Sequence, residues 1–452
     1  MNLPRHIKEH AALDVLAASD IVKTQGRRIA IVGDSITEFC TSGTGASLTS
    51  IGIWGNGFYY WWMRALNWAC FLDINAGDGG ATTTEILANF QTNVLDRDND
   101  IVHILAGVNN LTTAITKETT WADIKSMADQ AIAKGRLVIL GTFWPNDSVA
   151  YTDAQLEKCF YVNNEIRNYG RTVQGAVFVD YYKLVIEPSS VTVTALLRAG
   201  YTDNVHPKVL FAKIMGEAVA AVTVGLFTNG VDLTSSKIDT FNENAGSLQL
   251  IDNPVMTDTP YSNPPAGDIA IATGDLAVGL SLNDQVNTGI TNVTCSIVAH
   301  PDGLGLMQQI SITGNAGDSI WIQGQNVGGD MLASDTFWAE MYAEADVGGA
   351  SGYMPKIALR LFAAFTTAGN KNLYCMNEQH PIDWPKENFK GILRTPPYGI
   401  EGDTATTLLM RFELTLPEAG TYVLRLGNDA IYKNRPGVWS GDVGIGHINY
   451  GA

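Results

Sequence analysis

A chain of 452 residues is long enough to build two hydrophobic cores, and 46% hydrophobic with 17% charged residues excludes a disordered polyelectrolyte. The formal net charge of −17 disfavours a nucleic-acid partner, because a phosphate backbone would be repelled. No apolar run of about 18 residues is read from the sequence, so no membrane span is expected.

The N-terminus, MNLPRHIKEHAALDVLAASD, lacks the apolar core of a secretory signal, and the sequence indicates no compartment. The five cysteines, Cys40, Cys70, Cys159, Cys295 and Cys375, show no CxxC spacing. Buried free thiols are therefore expected, rather than a disulfide framework or a zinc site. His6, His10, His300, His380 and His447 form no ligand cluster, so no metal and no cofactor is expected.

In chain order, Arg28–Gly33 reads as a buried strand, followed by Phe71–Ala76, Ile101–Ala106, Leu137–Thr142 and Ala176–Asp180. Helical stripes lie between them. Phe58–Trp62 reads as one buried helix face, with the lining of a substrate groove as the alternative. Ile86, Leu87, Phe90 and Val94 follow an N-cap in Thr82–Thr84. Trp121, Ile124, Met127, Ala128 and Ala131 form another stripe, and Leu156, Phe160 and Ile166 a further one. A last helix is expected over Lys208–Val222. This alternation predicts an α/β domain with a parallel five-stranded, flavodoxin-like sheet flanked by helices, over residues 1–227.

Residues 228–267, rich in Asn, Asp, Ser, Thr and Pro, read as a linker or irregular connection. From 268 to 452 alternation takes over. Ile310/Ile312, Ile320/Ile322, Phe337/Ala339/Met341, Ile357/Leu359/Leu361, Met410/Phe412/Leu414/Leu416 and Tyr422/Leu424/Leu426 each sit on one side of a strand. These predict an all-β sandwich, jelly-roll-like, expected to bind carbohydrate.

In an open parallel sheet the site lies beyond the carboxyl ends of the strands. Four blocks fall there. Gly33-Asp34-Ser35-Ile36 follows the first strand and exposes a hydroxyl. The glycine-rich Asn75–Thr82 turn follows the second and can bring backbone N–H groups close to a bound oxygen. Gly107-Val108-Asn109-Asn110 follows the third and supplies an amide donor. Asp203-Asn204-Val205-His206-Pro207 precedes the last helix, with a carboxylate placed to hold an imidazole. Serine needs a base to become a nucleophile, an imidazole provides one near neutral pH, and fixed donors stabilise the oxyanion that attack on an ester creates. Trp144, just past the fourth strand, is expected to form a substrate-binding pocket wall. Asp34 is expected to stabilise the turn beside Ser35, and His103 to be a packed core residue.

In these blocks the sequence resembles the SGNH (GDSL-like) hydrolase family, over roughly residues 25–225. The resemblance implies Ser35 as nucleophile with Asp203 and His206 completing the triad. It also implies an oxyanion hole made by the Ser35 N–H, Gly80 and Asn109. One departure is Asn110, where the family often carries an Asp that supports the loop.

The implied activity is a carboxylic ester hydrolase, a serine esterase removing short acyl groups, acetyl above all, from a carbohydrate through an acyl-enzyme. A lipase or thioesterase acting on longer chains is the first alternative. A catalytically silent glycan- or receptor-binding protein is the second. The appended β-domain also resembles bacteriophage tail-associated esterases, which would imply a trimer acting at a bacterial surface. The expected partner is an acylated carbohydrate.

Overall fold

The computed structural model describes residues 27–42, 50–147, 149–189, 197–227, 249–263, 265, 267–286, 289–332, 335–376, 385–399 and 403–433. The chain forms two compact units. One comprises residues 1–45, 55–230 and 448–452, and the other 46–54 and 231–447. His6, His10, His380 and His447 lie outside the described residues.

The first unit is built on five strands: β1 (Arg27–Gly33), β2 (Cys70–Gly77), β3 (Ile101–Leu105), β4 (Leu137–Gly141) and β5 (Ala176–Val179). They pair in parallel in the order β2-β1-β3-β4-β5, the flavodoxin-like order predicted. β3 and β4 are buried at every position, which is why they read as continuous apolar runs instead of alternating ones. Around the sheet lie α1 (Ser35–Glu38), α2 (Phe58–Ala65), α3 (Thr83–Phe90), α4 (Lys117–Ala133), α5 (Asp153–Thr172), α6 (Tyr181–Val185) and α7 (Val209–Thr223). Thr82 and Glu85 close a reciprocal capping box at the start of α3, and Thr152 and Gln155 do the same for α5.

Two packing details explain apolar segments that the sequence left ambiguous. Phe58 through Met63 on α2 are all buried, so this helix is apolar all round and wholly interior. α7 packs on it through Gly216, where a Cβ would lie 2.5 Å from the Trp62 amide nitrogen and 2.6 Å from the Phe58 carbonyl oxygen. The stretch Val209–Leu226 is long and apolar enough to cross a membrane, which corrects the sequence expectation of no such run. It is mostly buried, with Trp62 Nε1 donating to Thr223 Oγ1 at 3.0 Å, the packing of a core helix. Phe160 departs from its expected stripe: it is 44% exposed and meets Tyr182 edge-on.

In the second unit one sheet runs, in order, Phe389–Arg394, Phe337–Ala345, Gly420–Lys433, Leu306–Gly314, Asn292–Ala299 and Ala272–Gly274. The other contains Ser50–Ile53, Gly369–Cys375, Lys356–Phe365, Ala405–Thr415, Ser319–Asn326 and Ser281–Val286. The pairings among these strands are antiparallel except for Ala272–Gly274 on Asn292–Ala299 and Ser50–Ile53 on Gly369–Cys375, which are parallel. Phe337 of the first sheet and Phe365 of the second meet at 5.9 Å between ring centroids. Consecutive strands pass repeatedly from one sheet to the other, as a jelly-roll-like sandwich requires.

Two boundaries differ from the sequence expectation. Ser50–Ile53 lies within the predicted 1–227 domain but supplies a strand to the second unit. Within the expected 228–267 linker, Leu250 and Ile251 are buried, and the Leu250 N–H donates to Ile431 O at 2.8 Å. That part of the connection is irregular yet belongs to the sandwich core. All five cysteines are buried free thiols.

Candidate active site

β1 is flanked by β2 and β3, so the turns leaving these three strands converge at one sheet edge. Asp34 caps α1, its Oδ1 accepting from the Ile36 N–H at 3.1 Å, and it also accepts from the backbone of Gly107 and Val108. One buried carboxyl thus ties the Ser35 turn to the turn carrying Asn109. Burial pushes this carboxyl up to about 7 against the pull of those N–H groups. Gly33 is required at the preceding position, since a Cβ there would lie 2.0 Å from the Leu105 carbonyl oxygen.

The β2 end is fastened to the same helix. Asn75 Nδ2 donates to Thr37 O, Glu38 O and Thr41 Oγ1 at 3.0, 3.0 and 2.8 Å, and its Oδ1 accepts from the Gly77 N–H. The Asp78 N–H donates to Gly33 O at 3.0 Å. Gly80 then adopts φ +83°, a left-handed conformation suited to glycine, and its N–H has no acceptor among the described residues. Asn109 Nδ2 donates to Ala81 O at 3.0 Å, which joins the β3 turn to the glycine-rich turn and leaves its second amide hydrogen available.

Ser35 is half-buried, and its Oγ lies 3.0 Å from His206 Nε2. His206 Nδ1 lies 3.2 Å from Asp203 Oδ2. With hydrogen on Nδ1, the imidazole donates to the carboxylate and leaves Nε2 free to accept the serine proton. Asp203 Oδ1 also accepts from the N–H groups of His206 and Val205, at 2.8 and 3.1 Å. Partial burial works against ionisation of Asp203. Those two N–H groups and the imidazole outweigh it and hold the carboxyl below its ordinary value. The sequence spacing DxxH is what allows one carboxylate to bind both the backbone and the ring of the histidine.

Trp144 is not a pocket wall. It is fully buried, packed edge-on against Phe211, and its Nε1 donates to Val205 O at 2.9 Å. It therefore supports the loop carrying Asp203 and His206 from below. Phe39 was missed by sequence reasoning. Its partly exposed ring packs on His206 with centroids 4.6 Å apart, and no spacing rule marks it. His103 is a packed core residue as expected, 2.9 Å from the Tyr181 hydroxyl and held down to about 3 by burial.

Asn110, the departure from the resemblance, is buried and fully engaged. Its Oδ1 accepts from the Thr83 N–H at 3.0 Å, and its Nδ2 donates to Thr83 Oγ1 and Thr120 Oγ1 at 2.7 and 2.9 Å. It thus caps α3 and fixes the turn beside Asn109.

Residues 31–210 match the GDSL-like Lipase/Acylhydrolase family. Among solved structures, the GDSL-like domain is similar to a GDSL-like lipase from Bacteroides thetaiotaomicron. That match has 24% identity, covers 49% of this chain and 98% of that one, and has a TM-score of 0.34. An acetylxylan esterase from Geobacillus stearothermophilus matches at 18% identity over 45% of this chain and 95% of that one, TM-score 0.35. A lipase/acylhydrolase from Enterococcus faecalis matches at 19% identity over 46% and 100%, TM-score 0.35. No curated protein matches the chain.

Proposed function

We propose that the GDSL-like domain is a serine esterase that removes short acyl groups, acetyl above all, from a carbohydrate. The observation that carries this reading is the continuous relay from Ser35 Oγ to His206 Nε2 and from His206 Nδ1 to Asp203. Ser35 attacks the acyl carbonyl as His206 takes its proton, and His206 returns the proton to the departing sugar oxygen. The Ser35 and Gly80 N–H groups and the Asn109 amide hold the oxyanion, a contribution of about 3–4 kcal/mol per donor. Water, activated by the same imidazole, then releases the acid. No step requires a cofactor.

The saccharide rests on the appended sandwich, and so does the reading of a tail-associated enzyme acting on surface glycans. Initial rates on p-nitrophenyl acetate, butyrate and octanoate test the chain length. Acetate fastest supports the proposal, octanoate fastest gives the site to a lipase, and an inert wild type leaves glycan binding without turnover.

A further inference from the structure

The outer face of the sandwich sheet containing Lys356–Phe365 carries an arrangement that packing alone does not call for. Ile357, Leu359, Leu361, Met410, Phe412, Ile320 and Ile322 point inward and are buried, so the alternate residues of these strands point out. Arg360 stands directly opposite both Arg411 and Tyr374, and Glu413 opposite Trp321. The Arg411 guanidinium lies 4.5 Å from the Trp321 ring centre and 5.7 Å from that of Phe362. Arg360 lies 5.3 Å from Trp321 and 5.4 Å from Tyr374. Three aromatic rings and two guanidinium planes thus form one half-exposed platform.

Like charges directly opposite on neighbouring strands disfavour a sheet. Glu413 pairs with Arg360 at 3.2 Å, whereas Arg411 makes no ion pair among the described residues and donates Nε to Gln323 Oε1 at 2.9 Å. Burial first, and Arg360 second, hold the Arg411 guanidinium below its ordinary value. Two facing arginines with one carboxylate between them leave a local positive charge on a chain whose formal net charge is −17. At physiological salt the screening length is about 8 Å, so this local charge outweighs distant carboxylates for anything lying on the face. A like-charge pairing that a single carboxylate offsets only in part is a local conflict of the kind found at functional surfaces.

We propose that this face binds an acidic polysaccharide, with sugar rings stacked on Trp321, Phe362 and Tyr374 and a hexuronate-type carboxylate held by Arg411. Rings supply flat apolar surface for the C–H faces of a sugar, and Arg, Gln and Asn side chains bond its hydroxyls. A guanidinium fork matches a carboxylate in a bidentate way. Duplex or single-stranded nucleic acid is the less suitable polyanion, because its denser charge meets the acidic remainder of the chain. The inference rests on the esterase reading for its saccharide and not for its turnover.

The test is native gel electrophoresis of the full chain through polygalacturonate, dextran or single-stranded DNA. Retardation by polygalacturonate alone is expected. Trp321→Ala and Arg411→Gln should each raise Kd by about tenfold, and Trp321→Phe should retain most of the binding. Hydrolysis of p-nitrophenyl acetate should be unchanged in all three, which separates failure here from failure of the esterase reading. If Trp321→Ala alters the circular dichroism, Arg411→Gln carries the test. No retardation by polygalacturonate, equal retardation by dextran or DNA, or wild-type binding by Arg411→Gln would overturn the proposal.

Discussion

Replacing Asn110 by Asp installs the residue the family often carries, yet the structure predicts that it destabilises this chain. Thr83 Oγ–H is already given to Asp123 Oδ2 at 2.9 Å, and Thr120 Oγ–H to Thr116 O at 2.9 Å. Both hydroxyls therefore need a donor from position 110, and the Asn110 amide supplies it twice. An ionised Asp keeps the bond from the Thr83 N–H but loses both donations, and it brings a second carboxylate beside buried Asp123. Two lost hydrogen bonds at about 0.5–1.5 kcal/mol each, plus an unpaired buried charge, give a cost of about 2–4 kcal/mol at pH 7.

The sign of the pH dependence follows from the same geometry. A protonated Asp is a donor again, so the folded state raises the pKa of the new carboxyl. The charge part of the penalty is then absent below the unfolded value of about 4 and grows as pH rises above it, while one of the two donations stays lost at every pH. Urea denaturation of both proteins at pH 4.5 and 7.5 measures this, and the deficit should shrink at the lower pH. Wild-type stability at pH 7.5, or a deficit indifferent to pH, would refute the donor argument.

Three other predictions rest on single contacts. Trp144→Phe removes the support under Val205 and strands its carbonyl. Urea midpoints should show a loss of about 1–3 kcal/mol, with kcat for p-nitrophenyl acetate falling and KM little changed. Gly216→Ala drives a Cβ into the backbone of α2 and should lower stability by about 1–3 kcal/mol in thermal melts, with kcat retained in the folded fraction. Asp203→Asn should reduce kcat by at least about two orders of magnitude. In wild type the depressed Asp203 carboxyl stays ionised as pH falls through the ordinary carboxylate range, so the rate profile should show no limb there that Asp203→Asn removes; such a limb would contradict this.

The five parallel strands were legible because four are largely apolar runs and Cys70–Gly77 alternates through Leu72 and Ile74, and their carboxyl ends gave Ser35, Gly80 and Asn109 positions that the structure brings to one edge. Asp203 and His206 were legible from a local spacing that one carboxylate can satisfy twice. What was not legible depends on partners distant in sequence. A tryptophan just past a strand end reads equally as pocket wall or interior, and only the bond to Val205, 61 positions away, decides for Trp144. The four residues Ser50–Ile53 pair with Asn372–Cys375, and no local pattern announces so remote a neighbour. Leu250 and Ile251 sit in an Asn- and Pro-rich stretch whose composition hides their burial. Asn110 looked like a weakened match until Thr83, Thr120 and Asp123 showed that a donor is needed there.

The central claim is that Ser35 is activated by His206. Covalent labelling with a fluorophosphonate, read by intact mass and peptide mapping, tests it most directly. The account predicts one adduct, on Ser35, absent in Ser35→Ala and formed at least about a hundredfold more slowly in His206→Ala. An adduct on another serine, or labelling of Ser35 that proceeds equally fast without His206, would contradict it.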